Sequence, residues 1–548
     1  MSATRQKFDG WTTVAVVLSA GYLLMVIWPL MTVMFNSFSA DGEFSLAGFE
    51  KFFSSRLYYS TLWNSVLVTV CVTVLALAVA FPLAYFMTMF RVRGSGIIQI
   101  LILASMMSPP FIGAYSWILM LGNNGMVTQL IQDVFGVKPP SIYGFPGIIL
   151  VLTLQLVPLI FTYLMGAWRT VDVSLLEAAE SMGVTGLRRA FQVIAPLLWP
   201  TVLAGSLLVF VRAFADFGTP MLIGQGFRTV PVLIYSSFVG EVATDQSFAA
   251  SVAVIVILVT MSIFLFQKYL ASRQKFSMTA MRTIEPKQIK GWANFGVHAY
   301  VYSFLFLALA PLVVVVISSF RNTLYGQFVD GWGFKNYVGS QRDIWRYIGN
   351  TFGIGLTALA ILVVIAVLVA YLVVRRKGWL SNLLDTMTMV PYVVPGLVIG
   401  IALITAFSTG PLILTGSALI MVLSLTIRRL PYSVRSTTAL MGQLNPAIEE
   451  AAMSLGASKW TTLTRIIVPA LGPGILSGAV LSWVTIITEL STTLFLYNTG
   501  TQTLALGIYA EVIRGQLGTA AALSTILLVL TMASLFLLMK LGNKDIKI

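Results

Sequence analysis

Twelve stretches of this 548-residue chain are each apolar and long enough to cross a lipid bilayer. They lie near 12–36, 62–89, 96–121, 146–168, 197–222, 247–270, 298–320, 348–374, 380–408, 413–437, 470–498 and 518–540. A helix needs about 20 apolar residues to span the hydrocarbon core, where every backbone N–H and C=O must be paired internally. The pattern predicts an all-α integral membrane protein with 12 transmembrane helices. Two of the stretches are interrupted, the fourth by Pro158 and the tenth by Arg428, Arg429 and Pro431. Hydrophobic residues make up 57% of the chain and charged residues 10%, with a mean hydropathy of +0.89, which excludes an average soluble domain. The first stretch follows Arg5 and Lys7 and is too long for the core of a cleaved signal, so it reads as retained.

The net charge of +14 could point to nucleic acid, but topology explains it better. Lys and Arg collect in cytoplasmic loops of membrane proteins. With both termini inside, 24 of the 34 cations fall on the cytoplasmic side, nine outside and one, Arg212, within a span. The inside set includes Arg91 and Arg93, Arg188 and Arg189, the triplet Arg375, Arg376 and Lys377, and Lys540, Lys544 and Lys547. No basic run lies beside aromatics on a soluble segment, so no nucleic-acid partner is expected. One cysteine, Cys71, excludes an intrachain disulfide framework, and one histidine, His298, leaves no Cys/His metal cluster.

The chain is also an internal duplication. Around position 180 it reads EAAESMGVTGLRRAFQVIAPLLWP, and around 453 it reads EAAMSLGASKWTTLTRIIVPALGP. Glu177, Ala178, Ala179, Gly183, Ile194, Pro196 and Pro200 match Glu450, Ala451, Ala452, Gly456, Ile467, Pro469 and Pro473 at a constant offset of 273. Earlier in each half Asn64, Ala84, Tyr85 and Pro109 match Asn350, Ala370, Tyr371 and Pro395 at an offset of 286. The offset changes where the first half carries a longer outer loop, roughly 122–145. Six spans per half make both halves enter the membrane the same way, a parallel repeat about an axis along the membrane normal. The expected division is a first half over 1–272, a basic cytoplasmic connector over 273–290, and a second half over 291–548.

Each repeated island reads as two short helices around a turn. Asp172 and Asn445 are N-cap candidates, with Pro446 fitting the first helical position; Ser174 with Glu177 offers an alternative capping box. Gly183 and Gly456 stand where the first helix must stop. Thr185 and Ser458 then cap a second helix expected to end at Pro196 and Pro469, with an apolar stripe of Trp460, Leu463, Ile466 and Ile467 echoed by Leu187, Ala190, Val193 and Ile194. One such island alone would read as an amphipathic loop on the bilayer surface. Two copies at identical internal spacing read instead as a pair of docking surfaces.

Glu-Ala-Ala, then Gly six residues after the Glu, then Ile-x-Pro resembles the EAA signature of the membrane subunits of bacterial type I ABC importers. The resemblance covers both halves and implies the type I ABC importer (MetI-like) fold in the bacterial cytoplasmic (inner) membrane. It also implies that Glu177, Ala178, Ala179, Gly183, Glu450, Ala451, Ala452 and Gly456 contact ATPase subunits. The implied partners are two ATPase subunits on the cytoplasmic face, which carry the ATP and Mg, and an extracytoplasmic substrate-binding protein. The chain itself contains no Gly-Lys dipeptide and so no phosphate loop, which makes it a transport subunit rather than an enzyme. The fused architecture, with FADFGTPMLIG and ELSTTLFLYNTGTQTLALGIYAEV, resembles the ferric-iron and thiamine permease group. Ferric iron is the expected cargo, and thiamine, phosphonate, sugar phosphate or polyamine are the alternatives.

Intramembrane acids are costly and point to pathways. Asp216 and Glu489 occupy equivalent positions, each 20 residues beyond the proline of its island. Arg212, four residues before Asp216, could simply neutralise it, whereas Glu489 has Thr485 there and is the better pathway candidate. Pro109, Pro110, Pro391, Pro395 and Gly396 are expected to break helices near the same region, or to be ordinary kinks. A secondary active transporter is the rival class, since it too can show twelve spans in two parallel halves. The RVRGSG loop lacks the Asp-Arg pattern typical of the large facilitator superfamily.

Overall fold

Proline and glycine decide where the long apolar segments of this chain run straight and where they turn. The structure, a computed structural model, describes residues 10–40, 43–106, 109–168, 171–239, 245–273, 284–338, 341–376 and 378–542. About 80% of the chain is helical. Two two-stranded sheets, Ser39–Ala40 with Glu43–Phe44 and Arg321–Leu324 with Gln327–Trp332, are the strands among the described residues. Arg5, Lys7, Lys377, Lys544, Lys547 and connector residues 274–283 lie outside the described residues.

Among the described residues eight helices are single, long and apolar enough to cross a membrane: Gly10–Ser37, Arg56–Met89, Phe145–Trp168, Phe191–Phe214, Gln246–Phe266, Gly291–Ser319, Arg342–Arg375 and Leu517–Leu537. Counting each bent pair as one span raises the number to eleven. The third and ninth stretches are not continuous spans: Trp379–Val393 and Gly396–Phe407 meet at 109°, and Ser95–Met106 turns by 99° into Phe111–Phe135. Pro109 and Pro395 stand at the two turns with extended ψ angles of 141° and 146°. A proline has no N–H to continue the ladder, so the chain restarts a helix there rather than bending one. The tenth stretch is the helix Ala418–Gln443, 26 residues long and interrupted by the charges of Arg428, Arg429 and Arg435. The fifth and eleventh stretches also break, at Phe214/Gly218 and Ile487/Thr493.

The chain forms two compact units, and each takes its opening span from the other half of the sequence. One unit comprises Glu50–Thr244 with Leu258–Arg321, and so contains the span Gly291–Ser319. The other comprises Met1–Phe49, Asp245–Ile257 and Asn322–Ile548, and so contains Gly10–Ser37. In the first unit Tyr300 donates to the Val79 carbonyl at 2.9 Å and Tyr302 to the Arg93 carbonyl at 3.0 Å, fastening the imported span. In the second, Ser247 and Ser251 donate to the carbonyls of Ser39 and Ser37 at 2.8 and 3.1 Å, closing the end of the first span.

Small side chains let the central helices approach. Ala76, Ala80 and Ala84 are fully buried at four-residue intervals on Arg56–Met89, packed with Ile148, Leu152 and Val202. In the second unit Ala358, Leu362, Ala366 and Ala370 repeat that stripe. Without a hydrophobic drive between helices in lipid, close van der Waals contact along such stripes supplies the attraction. The duplication persists in individual hydrogen bonds. Asn64 donates to the Arg228 carbonyl at 2.9 Å, and its counterpart Asn350 to those of Gly500 and Gln502 at 2.7 and 2.9 Å. Likewise the Val230 amide donates to Ser65 Oγ at 2.8 Å and the Leu504 amide to Thr351 Oγ1 at 2.9 Å.

Candidate functional site

The repeated islands fold as two elbows with the same backbone. The first helix is Val173–Ser181 in one copy and Ala447–Ser454 in the other. Asp172 caps the first by accepting the Ser174 amide at 2.9 Å, and Asn445 Oδ1 accepts the Ala447 amide at 3.0 Å. Both helices end in a Schellman motif: Val184 N donates to Ala179 O at 2.9 Å and Gly183 N to Glu180 O at 2.9 Å, matched by Ala457 to Ala452 at 3.1 Å and Gly456 to Met453 at 3.0 Å. Gly183 and Gly456 have φ of +77° and +90°, and a Cβ on either would meet nothing within 4 Å. The backbone conformation, not crowding, requires glycine there.

Ala179 and Ala452 face inward and are buried, while Glu177, Ala178, Gly183, Glu450, Ala451 and Gly456 are exposed. Each elbow thus exposes the matched glutamate, the first alanine and the turn of its motif, and the first elbow exposes Glu180 as well. Ser458 caps the second helix of its elbow through the Thr461 amide at 3.1 Å, and Thr185 holds the equivalent place by accepting the Arg189 amide at 3.3 Å through its carbonyl. The expectation that these second helices end at Pro196 and Pro469 fails. A π turn, Ala190–Ile194 or Leu463–Ile467, precedes each proline and accommodates its missing donor, so the chain runs on into the next helix. Only the second copy then bends, by 71° at Leu471. In the stripe, Leu463, Ile467 and Ile194 are buried; the side chains of Leu187 and Ala190 lie outside the described residues.

Asp216 and Glu489 stand in the two later helix breaks and do the same backbone task. Asp216 accepts the Thr219 amide at 3.0 Å and Glu489 the Thr492 amide at 3.1 Å, each three residues on. Around that shared geometry the charges differ. Glu489 lacks an arginine on its own helix, yet two from Ala418–Gln443 hold it: Arg428 donates to its Oε1 at 2.6 Å, and Arg429 pairs with its Oε2. Arg428 also donates to Thr492 Oγ1 at 2.7 Å. The local arginine is absent, as the sequence suggests, and the partners come instead from a helix distant in sequence. Glu489 retains 4% of its side-chain exposure, and the arginines 17% and 11%.

Two broken helices meet at this centre. The Arg428 guanidinium lies directly on Gly396, where a Cβ would approach Nη1 to 1.7 Å, so the restart of the helix after Pro395 is open to it only because residue 396 is glycine. In the first half the places of Arg428 and Arg429 are taken by Gln155 and Leu156. Gln155 Oε1 is buried without a protein partner. Gln155 lines a cavity of about 40 Å³ beside Pro109, Gly113 and Pro311, with room for a water or two. Among the described residues no three His, Cys, Asp or Glu side chains gather as a metal site.

Sequence reasoning missed the Arg428–Glu489–Arg429 cluster, although the signal was present as two arginines inside an apolar stretch. It also missed the pair of Arg375 with Glu449, both half-buried at the second elbow.

Comparison with known proteins matches both halves, over residues 76–276 and 362–547, to the family described as binding-protein-dependent transport system inner membrane component. The chain belongs to this family. As such it is an importer permease, a multi-pass protein of the inner membrane, and not itself an enzyme. The ferric transport system permease protein FbpB of Actinobacillus pleuropneumoniae is 27% identical over 520 residues, 93% of this chain and 75% of that protein. The Fe(3+)-transport system permease protein FbpB 2 of Haemophilus influenzae is 21% identical over 485 residues, 88% of this chain and 90% of that one. The transport system permease protein PhnU of Salmonella typhimurium is 27% identical over 254 residues, only 45% of this chain but 88% of its own length. A whole permease subunit elsewhere thus corresponds to one half here.

Proposed function

We propose that this importer permease forms the translocation pathway for ferric iron and couples it to separate ATPase subunits through its two elbows. The doubled elbow carries the reading: two identical Schellman-closed turns offer Glu177, Ala178 and Gly183, and Glu450, Ala451 and Gly456, to a partner, with Ala179 and Ala452 anchoring them from within. Two docking surfaces with the same backbone fit two ATPase subunits. Iron is the cargo named for the ferric permease relatives that span nearly the whole chain. The chain has no phosphate loop, so hydrolysis falls to the partner subunits, and a binding protein delivers cargo from outside.

In this reading twelve spans cross the membrane, the eleven candidates plus Ala418–Gln443, with both termini and both elbows cytoplasmic. The halves 1–272 and 291–548 are parallel repeats joined by the connector 273–290. Asp216 and Glu489 line the pathway at the helix breaks, where broken helices of transporters hold their cargo. The Arg428 and Arg429 charges outweigh the Glu489 carboxylate, so while those pairs persist that centre repels a bare trivalent cation. Glu489 must exchange partners during a cycle in order to meet iron.

The test is uptake of radiolabelled ferric iron into proteoliposomes holding the chain with its ATPase and binding protein. Gly183→Pro combined with Gly456→Pro should abolish ATP-dependent uptake while the protein still inserts. Uptake that follows an ion gradient and ignores ATP would return the chain to the secondary transporters.

A further inference from the structure

The helix that holds Arg428 and Arg429 carries a third arginine on its way to the second elbow. Arg435 stands seven residues beyond Arg428 on Ala418–Gln443, about 10 Å along the axis and on the same face. It makes a two-pronged pair with Asp385 of Trp379–Val393, 3.1 Å from Nη1 to Oδ1 and 3.4 Å from Nη2 to Oδ2. Its Nε donates to Met389 Sδ at 3.2 Å. Between the two charge clusters Tyr392 and Tyr432 meet edge to face, with ring centres 5.8 Å apart. Gly396 against Arg428, Tyr392 against Tyr432 and Asp385 against Arg435 make one seam that runs from the Glu489 centre toward the second elbow. The matching residues of the first half, Gln99, Leu103, Met106, Leu159 and Thr162, carry no charge.

The Asp385–Arg435 pair differs from the Glu489 centre in being open. Arg435 keeps 50% of its side-chain exposure and Asp385 30%, against 4% for Glu489. An open pair of charges within an apolar bundle faces either lipid or water. Arg435 alone could reach a lipid headgroup along its aliphatic stem, but Asp385 has no stem to do so. It lies six residues, about 9 Å, beyond Trp379, whose exposed indole suits the membrane–water interface. A carboxylate at that depth is costly against acyl chains, and such groups face water-filled cavities.

We infer that this seam is a wet wall of the pathway on the elbow side of the Glu489 centre, and that Asp385 is the carboxylate that cargo meets there in exchange for Arg435. The inference rests on the transport function proposed above. A carboxylate suits a hard trivalent cation. Arg435 releases it at little cost, because a solvent-exposed ion pair is only weakly held. Glu489, enclosed by two arginines, has no such ease.

Two measurements on the complete complex in proteoliposomes test this. The chain has one cysteine, Cys71, so in a Cys71→Ser background Met389→Cys places a single thiol in the seam. Val364→Cys places one on an exposed apolar face of Gln341–Arg375. A charged, membrane-impermeant methanethiosulfonate added to both faces should modify Met389→Cys several-fold faster than Val364→Cys. Equal, slow modification of the two would mean that lipid covers the seam, and would overturn the inference.

Uptake of radiolabelled ferric iron then separates pathway from scaffold. Asp385→Asn should slow uptake several-fold, whereas Arg435→Gln, which frees the carboxylate, should speed it. Parallel losses in the two variants would make the pair a structural tie, and a wild-type rate for Asp385→Asn would remove Asp385 from the pathway. The thiol labelling does not depend on cargo. A wet seam in a wild-type complex that takes up no ferric iron would therefore sink the iron reading, and with it the exchange at Asp385, while upholding the wall.

Discussion

Asp216 and Glu489 hold equivalent positions in the two halves, and they differ in the side chains packed against them. Both accept an amide three residues ahead and so close the same backbone break. Glu489 then sits between two guanidiniums, whereas the first half has Gln155 and Leu156 in the arginine positions. The backbone task was kept by both copies because an open helix end in a membrane has no water to satisfy it. The charge was free to diverge. A duplicated chain can thus keep one backbone solution while the charges around its two copies diverge.

Glu489→Gln should break that contrast with the largest effect. It leaves two buried guanidiniums without their counter-charge, which costs about 3–5 kcal/mol in comparable sites. Thermal unfolding of the purified chain should show a clear fall. Adding Arg428→Gln, which converts the pair toward the first-half arrangement, should recover part of the loss, and the size of that recovery measures the coupling between the two side chains. Equal stability of the wild type and Glu489→Gln would mean that the arginines do not need this carboxylate. In transport assays, wild-type uptake and substrate-stimulated ATPase for Glu489→Gln would reduce the residue to structure.

The elbows extend the comparison to a second pair of matched residues. Arg375→Met copies the first half's Met89 into the second and removes the charged partner of Glu449, leaving it Tyr371. For a half-buried pair with one further hydrogen bond to Leu444 we expect a loss of about 1–3 kcal/mol. The reverse change, Met89→Arg, forces a guanidinium into a core position that is 8% exposed and should also cost about 1–3 kcal/mol. Melting of Arg375→Met checks the first of these losses, and a wild-type melt would show that Glu449 does not need its arginine.

How far these features were legible depended on whether the cause was local. The helical spans follow from apolar length, and the elbow caps from Asp172, Asn445, Ser458 and the two glycines, all of which act on neighbours within a few residues. Pro109 and Pro395 likewise announced the breaks, although not angles near 100°. What sequence reasoning could not supply was the partner of a buried charge, because Arg428 and Glu489 are 61 residues apart and meet only when two broken helices pack. The same holds for the connector: Lys287 and Met89 are joined by main-chain atoms, whose pairing leaves no trace in side-chain pattern. The prolines of the elbows misled for a related reason. Pro196 and Pro469 look like terminators, but a π turn ahead of each had already displaced the hydrogen bond that the ring would have removed.

The smallest effect is the most discriminating. Asparagine caps a helix about as well as aspartate, because its carbonyl oxygen accepts the same amide. Asp216→Asn should therefore keep the 3.0 Å bond from Thr219 and change stability by no more than about 0.5 kcal/mol, whereas Asp216→Ala should lose about 1 kcal/mol. Stability and charge are thereby separated at one position, which the heavily paired Glu489 does not permit. If Asp216→Asn melts like the wild type yet imports iron several-fold more slowly, the first centre uses its negative charge on cargo. If uptake is unchanged, the carboxylate is a cap, and the burden of the pathway shifts to the arginine-bound centre of the second half.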